Sequence, residues 1–152
     1  MATGARPDLE DTIERDGTAL HLEHYLARAP QRLALVMGHG FSAHAGLYRH
    51  VGAAFAGQGI AVTQFDCRGH GRSQGRRGHV DDFAEYLDDL GAVVAWARAR
   101  SPSLPWALAG HSLGGAIVLA SLLEERPRLS PQAVVLVAPW LRLRMKVPKP
   151  KL

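Results

Sequence analysis

The sequence predicts an α/β fold in which a mostly parallel sheet is flanked by helices. Three short apolar runs carry this prediction, at residues 33–37, 60–63 and 105–109. Each run precedes a glycine-containing turn and a segment with helical periodicity, which is the order expected of alternating strands and helices. Because helices cover both faces of such a sheet, its strands read as almost continuously apolar.

The chain is expected to begin with a disordered polar segment at residues 1–9. An opening antiparallel hairpin follows, because Asp16-Gly17 is a turn signal between possible strands at residues 12–15 and 19–25. Together with the downstream elements, this hairpin defines one α/β core over residues 10–140.

Two helices are predicted between these strands. Residues 44–58 form the first, and the second begins at residues 80–83 with acidic residues in its first turn. Their apolar faces are predicted to consist of Leu47, Val51, Ala54 and Phe55 in the first helix, and of Phe83, Leu87, Leu90 and Val94 in the second. A buried parallel strand at residues 133–137 brings the expected total to about six strands.

The motif Gly110-His111-Ser112-Leu113-Gly114-Gly115 lies between the apolar run 105–109 and an apolar helical segment at 116–123. Strand, Gly-x-Ser-x-Gly and helix in this order are typical of a nucleophile elbow. The pattern predicts that Ser112 is a nucleophile exposed at the end of a strand.

The residues around Ser112 suit this role. Side chains at Gly110 and Gly114 would collide within the sharp turn, so glycine is required there. The backbone N–H of Leu113 starts the helix and points to where an oxyanion would form, and the helix N-terminus adds partial positive charge.

A second segment, Gly38-His39-Gly40-Phe41-Ser42, follows the strand at 33–37. A His-Gly turn in this place predicts that the Phe41 N–H is the other oxyanion donor. His39 is expected only to pack beneath the loop, because backbone N–H groups supply the chemistry.

The glycine-rich segment at residues 64–73 follows the strand at 60–63. It contains neither a G-x-G-x-x-G nor a Walker pattern, which argues against a phosphate site. We therefore interpret it as a structural loop in which Asp66 pairs with Arg68.

These three motifs resemble, in order and spacing, the monoacylglycerol lipase and lysophospholipase group of α/β-hydrolases, which is also described as serine aminopeptidase S33-like. The resemblance covers residues 15–140. It implies that Ser112 is the nucleophile, that Phe41 and Leu113 are the oxyanion donors, and that no cofactor is needed. The implied substrates are small-molecule fatty-acyl esters of glycerol or lysophospholipids. Phe41-Ser42 replaces a small Ala-Gly pair of the family, and this change is expected to narrow the acyl pocket.

The acid and the histidine of a catalytic triad are not evident. They follow the serine in α/β-hydrolases, whereas no histidine follows His111. Glu124 and Glu125 fall late in the nucleophile helix and are expected to point away from the site. His44 and His111 remain alternatives, because triads are defined by geometry.

We therefore expect an incomplete domain that ends before the last strands and the cap, with a basic tail at residues 141–152 that starts the cap region. This chain is then inactive alone. Another carboxylesterase, thioesterase or haloperoxidase-like α/β-hydrolase is an alternative, as are a non-catalytic binding module and a split enzyme completed by a second polypeptide.

The charge distribution narrows the possible partners. The net charge is +4, but residues 126–152 contain seven basic and no acidic residues, so that residues 1–125 carry −3. Without a recognition motif or stacking aromatic residues, nucleic-acid binding is not predicted. The tail is either a solvated linker or a transient contact with a membrane surface. An uncovered sheet edge would favour association and poor solubility.

Cys67 is the single cysteine, which excludes an internal disulfide and a cysteine-based metal site. The N-terminus lacks the apolar core of a signal peptide, and no apolar run is long enough to span a bilayer. These features predict a cytoplasmic protein that is at most peripheral to a membrane.

Overall fold

A computed structural model describes residues 5–141. The elements in chain order are β1 (Leu9–Arg15), β2 (Thr18–Tyr25), β3 (Leu33–Gly38), a 3₁₀ turn (Ala45–Tyr48), α1 (Arg49–Gly57), β4 (Ile60–Phe65), α2 (Phe83–Arg100), β5 (Trp106–His111), α3 (Leu113–Leu123) and β6 (Ala133–Val137). The strands form one sheet in the order β1-β2-β4-β3-β5-β6, in which β4, β3, β5 and β6 are parallel. The predicted fold class is confirmed.

Both ends of the chain extend past the described range. The predicted basic tail lies outside it except for Leu141, as do residues 1–4 of the polar N-terminus. Asp8 and Leu9 were predicted to be disordered, and this is wrong. Leu9 begins β1, and the Asp8 carboxylate accepts the Leu26 N–H at 2.8 Å.

The opening hairpin has the predicted turn. Asp16 and Gly17 both have positive φ angles, of 48° and 71°, and they join Arg15 to its partner Thr18. Two residues with positive φ make the turn whose twist matches that of antiparallel strands. The hairpin continues the sheet because β2 pairs antiparallel with β4.

Hydrophobic residues fill both faces of the sheet. On one face, α2 and α3 pack through Leu87, Leu90 and Ile117 against Leu108 of β5. The predicted apolar stripe of α2 is correct except at Phe83, which is partly exposed. The helix begins at Phe83, after Asp82 caps it by accepting the Ala84 N–H.

The predicted apolar face of the first helix is wrong. Gly52 and Ala56 are its buried residues, whereas Leu47 and Phe55 are exposed. The reason is the ring of Tyr25, because a Cβ at Gly52 would lie 2.6 Å from Tyr25 Cε2. Only small residues can approach the sheet at this place, so α1 turns its larger side chains outward.

The last strand pairs parallel with β5, as predicted, but it is not buried. Among the described residues β6 is one edge of the sheet and β1 is the other, and Val134, Val135 and Val137 of β6 are exposed. Within residues 5–141 no strand pairs with the outer side of β6. Each helix within residues 5–141 is too short or too polar to span a bilayer.

Candidate active site

The backbone of Ser112 is strained. It joins β5 to α3 with φ 50° and ψ −110°, a combination that L-residues rarely adopt. Its N–H donates to the Val137 carbonyl at 3.0 Å, and its carbonyl accepts the N–H groups of Ala116 and Trp140. These bonds hold the serine in the turn that the Gly-x-Ser-x-Gly motif predicts.

Glycine is required on either side of this turn. A Cβ at Gly110 would lie 2.4 Å from the carbonyl carbon of Gly114, and one at Gly114 would lie 2.4 Å from the Gly38 carbonyl oxygen. Strand, turn and helix therefore approach one another at backbone distance, which larger residues would prevent.

The loop that follows β3 lies beside Ser112. A Cβ at Gly40 would be 3.3 Å from Ser112 Cβ, and the Gly114 N–H donates to the His39 carbonyl at 2.9 Å. Within residues 5–141 the N–H groups of Phe41 and Leu113 donate to no protein acceptor. Two free N–H donors therefore flank the candidate nucleophile.

His39 is buried beneath this loop, as expected, and it also forms two hydrogen bonds. The Cys67 N–H donates to its Nε2 at 2.9 Å, and Nδ1 lies 2.7 Å from the Gly40 carbonyl oxygen. Burial lowers the pKa of the imidazole, which keeps the ring neutral.

Neither alternative histidine bonds to the serine. His111 Nδ1 lies 2.8 Å from the Tyr48 hydroxyl, and His44 is exposed. Among the described side chains, none is hydrogen-bonded to the Ser112 hydroxyl. Glu124 and Glu125 lie at the end of α3, where Glu125 pairs with Arg128.

The predicted pairing of Asp66 with Arg68 is wrong. The Asp66 carboxylate accepts the Ala45 N–H at 2.6 Å and the Arg72 N–H at 2.7 Å. Arg68 instead pairs with Asp89 on α2, through two bonds of 2.6 Å, and also with Glu85. The Asp66 side chain thus holds two loops of the site together, because it accepts a main-chain N–H from each of them.

An apolar cleft of about 240 Å³ opens next to the free N–H donors. Its lining includes Phe41, Leu113 and Trp140 together with Phe83 and Tyr86 of α2. Trp140 and Tyr86 were not predicted to belong to the site. The adjacency of Trp140 to the end of β6 was the available signal, since strand ends meet at one edge of a parallel sheet.

One group of possible metal ligands lies elsewhere, on the hairpin. Glu10, His21 and Glu23 bring their ligand atoms within 4.8 Å of one another. Arg49 donates to both carboxylates, and Arg72 donates to Glu10 and contacts His21. The two guanidinium groups already neutralise the acids, so this group is an ion-pair cluster that leaves a cation no free carboxylate.

Comparisons with known proteins identify a family and several relatives. The family described as Serine aminopeptidase, S33 matches residues 29–152. A monoacylglycerol lipase of Mycolicibacterium smegmatis is 44% identical over 89 residues, which are 59% of this chain and 32% of that protein. The human monoglyceride lipase is 30% identical over 132 residues, which are 87% of this chain and 43% of that protein.

Solved structures share the fold. A soluble variant of the monoglyceride lipase from Saccharomyces cerevisiae, in complex with a substrate analog, superposes with a TM-score of 0.79. It is 21% identical, and the match covers 91% of this chain and 47% of that one. The chain therefore spans less than half the length of each of these three relatives.

Proposed function

The chain belongs to the serine aminopeptidase S33 family of α/β-hydrolases, and on that premise we propose that it carries the nucleophile and oxyanion hole of an enzyme that hydrolyses fatty-acyl esters of glycerol. The observation that carries the proposal is the strained backbone of Ser112, which lies between two free N–H donors at the carboxyl end of β5. The names of the lipase relatives support the ester class.

The reaction is acyl transfer to water. The Ser112 Oγ attacks the ester carbonyl while a base takes its proton, and the N–H groups of Phe41 and Leu113 stabilise the oxyanion. The tetrahedral intermediate collapses, the alcohol leaves with the proton, and the acyl group remains on Ser112. Water then attacks the acyl-enzyme by the same route and releases the fatty acid.

We place the acid and the histidine of the triad outside the described residues. In support, no histidine within residues 5–141 forms a hydrogen bond with the Ser112 hydroxyl, since His111 Nδ1 is bonded to Tyr48 instead. The aligned part of this chain also covers only 43% of the human monoglyceride lipase. Removal of triad members lowers rates by about 10⁴- to 10⁶-fold. The 152-residue chain is therefore expected to be inactive alone.

The apolar cleft is the proposed acyl site. Its lining residues Phe41, Leu113 and Trp140 include both proposed oxyanion donors, so an acyl chain in the cleft would bring its carbonyl to Ser112. Apolar walls with a few polar groups at one end are typical of sites that bind amphipathic small molecules. The bulky Phe41 ring limits the width of this cleft.

The test is to treat the protein from its native source with a fluorophosphonate probe and to measure the intact mass and the labelled peptide. Labelling at Ser112 is expected, and a Ser112→Ala variant expressed in the same host serves as the control. A labelled protein should also release fatty acid from monoacylglycerols. A protein that remains unlabelled under conditions that label a known serine esterase would overturn the proposed function.

A further inference from the structure

We infer that His39 is a positioning residue of the proposed oxyanion hole, because it fixes the Gly40–Phe41 peptide so that the Phe41 N–H faces the substrate oxygen. The inference rests on the proposed function, since it assigns the means by which one donor of that site is oriented. It goes beyond packing, because the ring bonds specific atoms on both of its nitrogens.

The tautomer of His39 follows from its partners. The Cys67 N–H can only donate, so Nε2 must carry a lone pair and Nδ1 must carry the proton. The Gly40 carbonyl oxygen can only accept, and it lies 2.7 Å from Nδ1. His39 is therefore a neutral donor to Gly40, and burial, which lowers the pKa of the imidazole, favours this state.

The bond to Gly40 determines where the Phe41 N–H points. A peptide unit is planar and trans, so its C=O and N–H groups point in opposite directions. The Gly40 oxygen is held by His39 Nδ1 and by the Ala43 N–H at 3.1 Å. The Phe41 N–H of the same peptide is thus directed away from His39, into the space beside Ser112.

Glycine makes this restraint necessary. Gly40 has no Cβ, and an added one would lie 2.9 Å from His111 Nδ1. Without a Cβ its backbone could otherwise rotate easily. A flipped peptide would present the Gly40 carbonyl oxygen to the developing oxyanion, and the partial negative charge of that oxygen would repel it. The Phe41 ring adds a second restraint, since it packs edge-on against His70 at 5.3 Å.

Two substitutions separate orientation from packing. In His39→Asn the amide nitrogen can take the place of Nδ1 and keep the bond to Gly40, whereas the bond from Cys67 is lost. In His39→Gln the longer side chain can accept from Cys67 but lacks the donor beside Gly40. Both variants are made in the form of the protein that reacts with the fluorophosphonate.

The two variants are expected to rank in opposite orders for kcat and for Tm. His39→Gln should lower kcat for a p-nitrophenyl ester by about 10- to 100-fold at unchanged KM, because a full oxyanion donor contributes about 10²- to 10³-fold. His39→Asn should keep kcat within about threefold of wild type while its Tm falls further than that of His39→Gln.

A matched control is His24→Asn, which removes another buried histidine, bonded to Thr63. Its Tm should fall and its kcat should not change. If kcat follows Tm across the three variants, or if His39→Gln keeps the wild-type kcat, the inference is wrong. If the wild-type protein is not labelled at Ser112, the proposed function is wrong and the inference falls with it, so the two failures are distinct.

Discussion

The Gly114 N–H donates to the His39 carbonyl oxygen over 2.9 Å, so one backbone bond joins the helix behind Ser112 to the loop that carries Phe41. The two proposed oxyanion donors come from these two segments. Their separation therefore depends on main-chain contact between α3 and the loop after β3, and glycine at position 114 is what allows that contact.

Gly114→Ala should disrupt both stability and labelling. The added Cβ would lie 2.4 Å from the Gly38 oxygen and 2.8 Å from the His39 oxygen, and neither backbone atom can move without shifting the loop. Overpacking of this kind costs about 1–3 kcal/mol, and the displaced loop should lower the rate of Ser112 phosphonylation by at least tenfold. Urea unfolding and the labelling rate measure the two effects.

Gly57→Ala is the matched control, because a Cβ at the end of α1 meets nothing within 4 Å. Alanine is the better helix former, so this variant should be as stable as wild type or up to about 1 kcal/mol more stable. Wild-type stability and labelling in Gly114→Ala would mean that the close approach is absent.

The strain at Ser112 predicts an unusual order of stability. Its φ of 50° and ψ of −110° suit glycine, and strain of this kind costs about 1–3 kcal/mol. Ser112→Gly should therefore have a higher free energy of unfolding than Ser112→Ala, by about 1 kcal/mol, although both lose the label. At Ser101, where φ is −141°, the alanine variant should be at least as stable as the glycine variant. The same order at both positions would contradict the strained elbow.

Backbone conformations that depend on neighbouring residues in the sequence could be predicted. The elbow at Ser112 and the turn at Asp16-Gly17 depend on local backbone chemistry, so their glycines, together with the strands and helix predicted beside them, indicated both. The buried face of α1 depends instead on the Tyr25 ring, which lies on another element. Periodicity within a helix cannot reveal which side chains its neighbour has already filled.

Long-range polar partners were not predictable for the same reason. Arg68 was expected to bond the nearby Asp66, but α2 brings Asp89 and Glu85 to it. His39 likewise bonds Cys67, which is 28 residues away. The packing of α2, and of β4 beside β3, decides which of these polar side chains form hydrogen bonds. The spacing of residues within a single motif does not contain that information.

Breaking the buried pair of Arg68 with Asp89 should cost far more than breaking an exposed pair. Asp89 is fully buried, so Arg68→Met leaves a carboxylate without its main partner, at a cost of about 3–5 kcal/mol. The double variant Arg68→Met/Asp89→Leu should be more stable than Arg68→Met, because it removes the orphaned charge as well. Urea unfolding of the wild type, Arg68→Met, Asp89→Leu and the double variant gives the coupling between the two residues.

Arg126→Ala is the comparison for an exposed pair, since Arg126 contacts Asp88 at 2.9–3.0 Å near the surface. Its loss should cost far less stability than the loss of Arg68, because solvent screens this exposed pair. A double variant less stable than Arg68→Met would show that Asp89 has a second role that the ion pair does not explain.

Stability should fall as the pH drops below about 7. Burial lowers the pKa of both His24 and His39, so the unfolded chain, in which histidine titrates near 6.5, binds more protons than the folded one. The contribution of these two histidines to the free energy of unfolding is complete above their unfolded pKa. It is lost as the pH falls toward their lower pKa values in the folded state, with a slope of at most about 1.4 kcal/mol per pH unit for each histidine. Urea unfolding between pH 5.5 and 7.5 measures it. His24→Asn should show a shallower decline, and an equally steep one would exclude His24 as a source.

The exposed edge strand should make the 152-residue chain self-associate. Val135 and Val137 are 53% and 52% exposed on β6, next to backbone groups that pair on one side only within the described sheet. A lysine at either position should reduce association by adding charge to that edge, and light scattering should then report a smaller mass.

Leu47→Lys removes a residue that is 56% exposed on the turn before α1, and it should leave association unchanged. If Leu47→Lys reduces association as much as Val135→Lys does, contact is driven by exposed apolar area in general, and the edge of β6 has no special part in it.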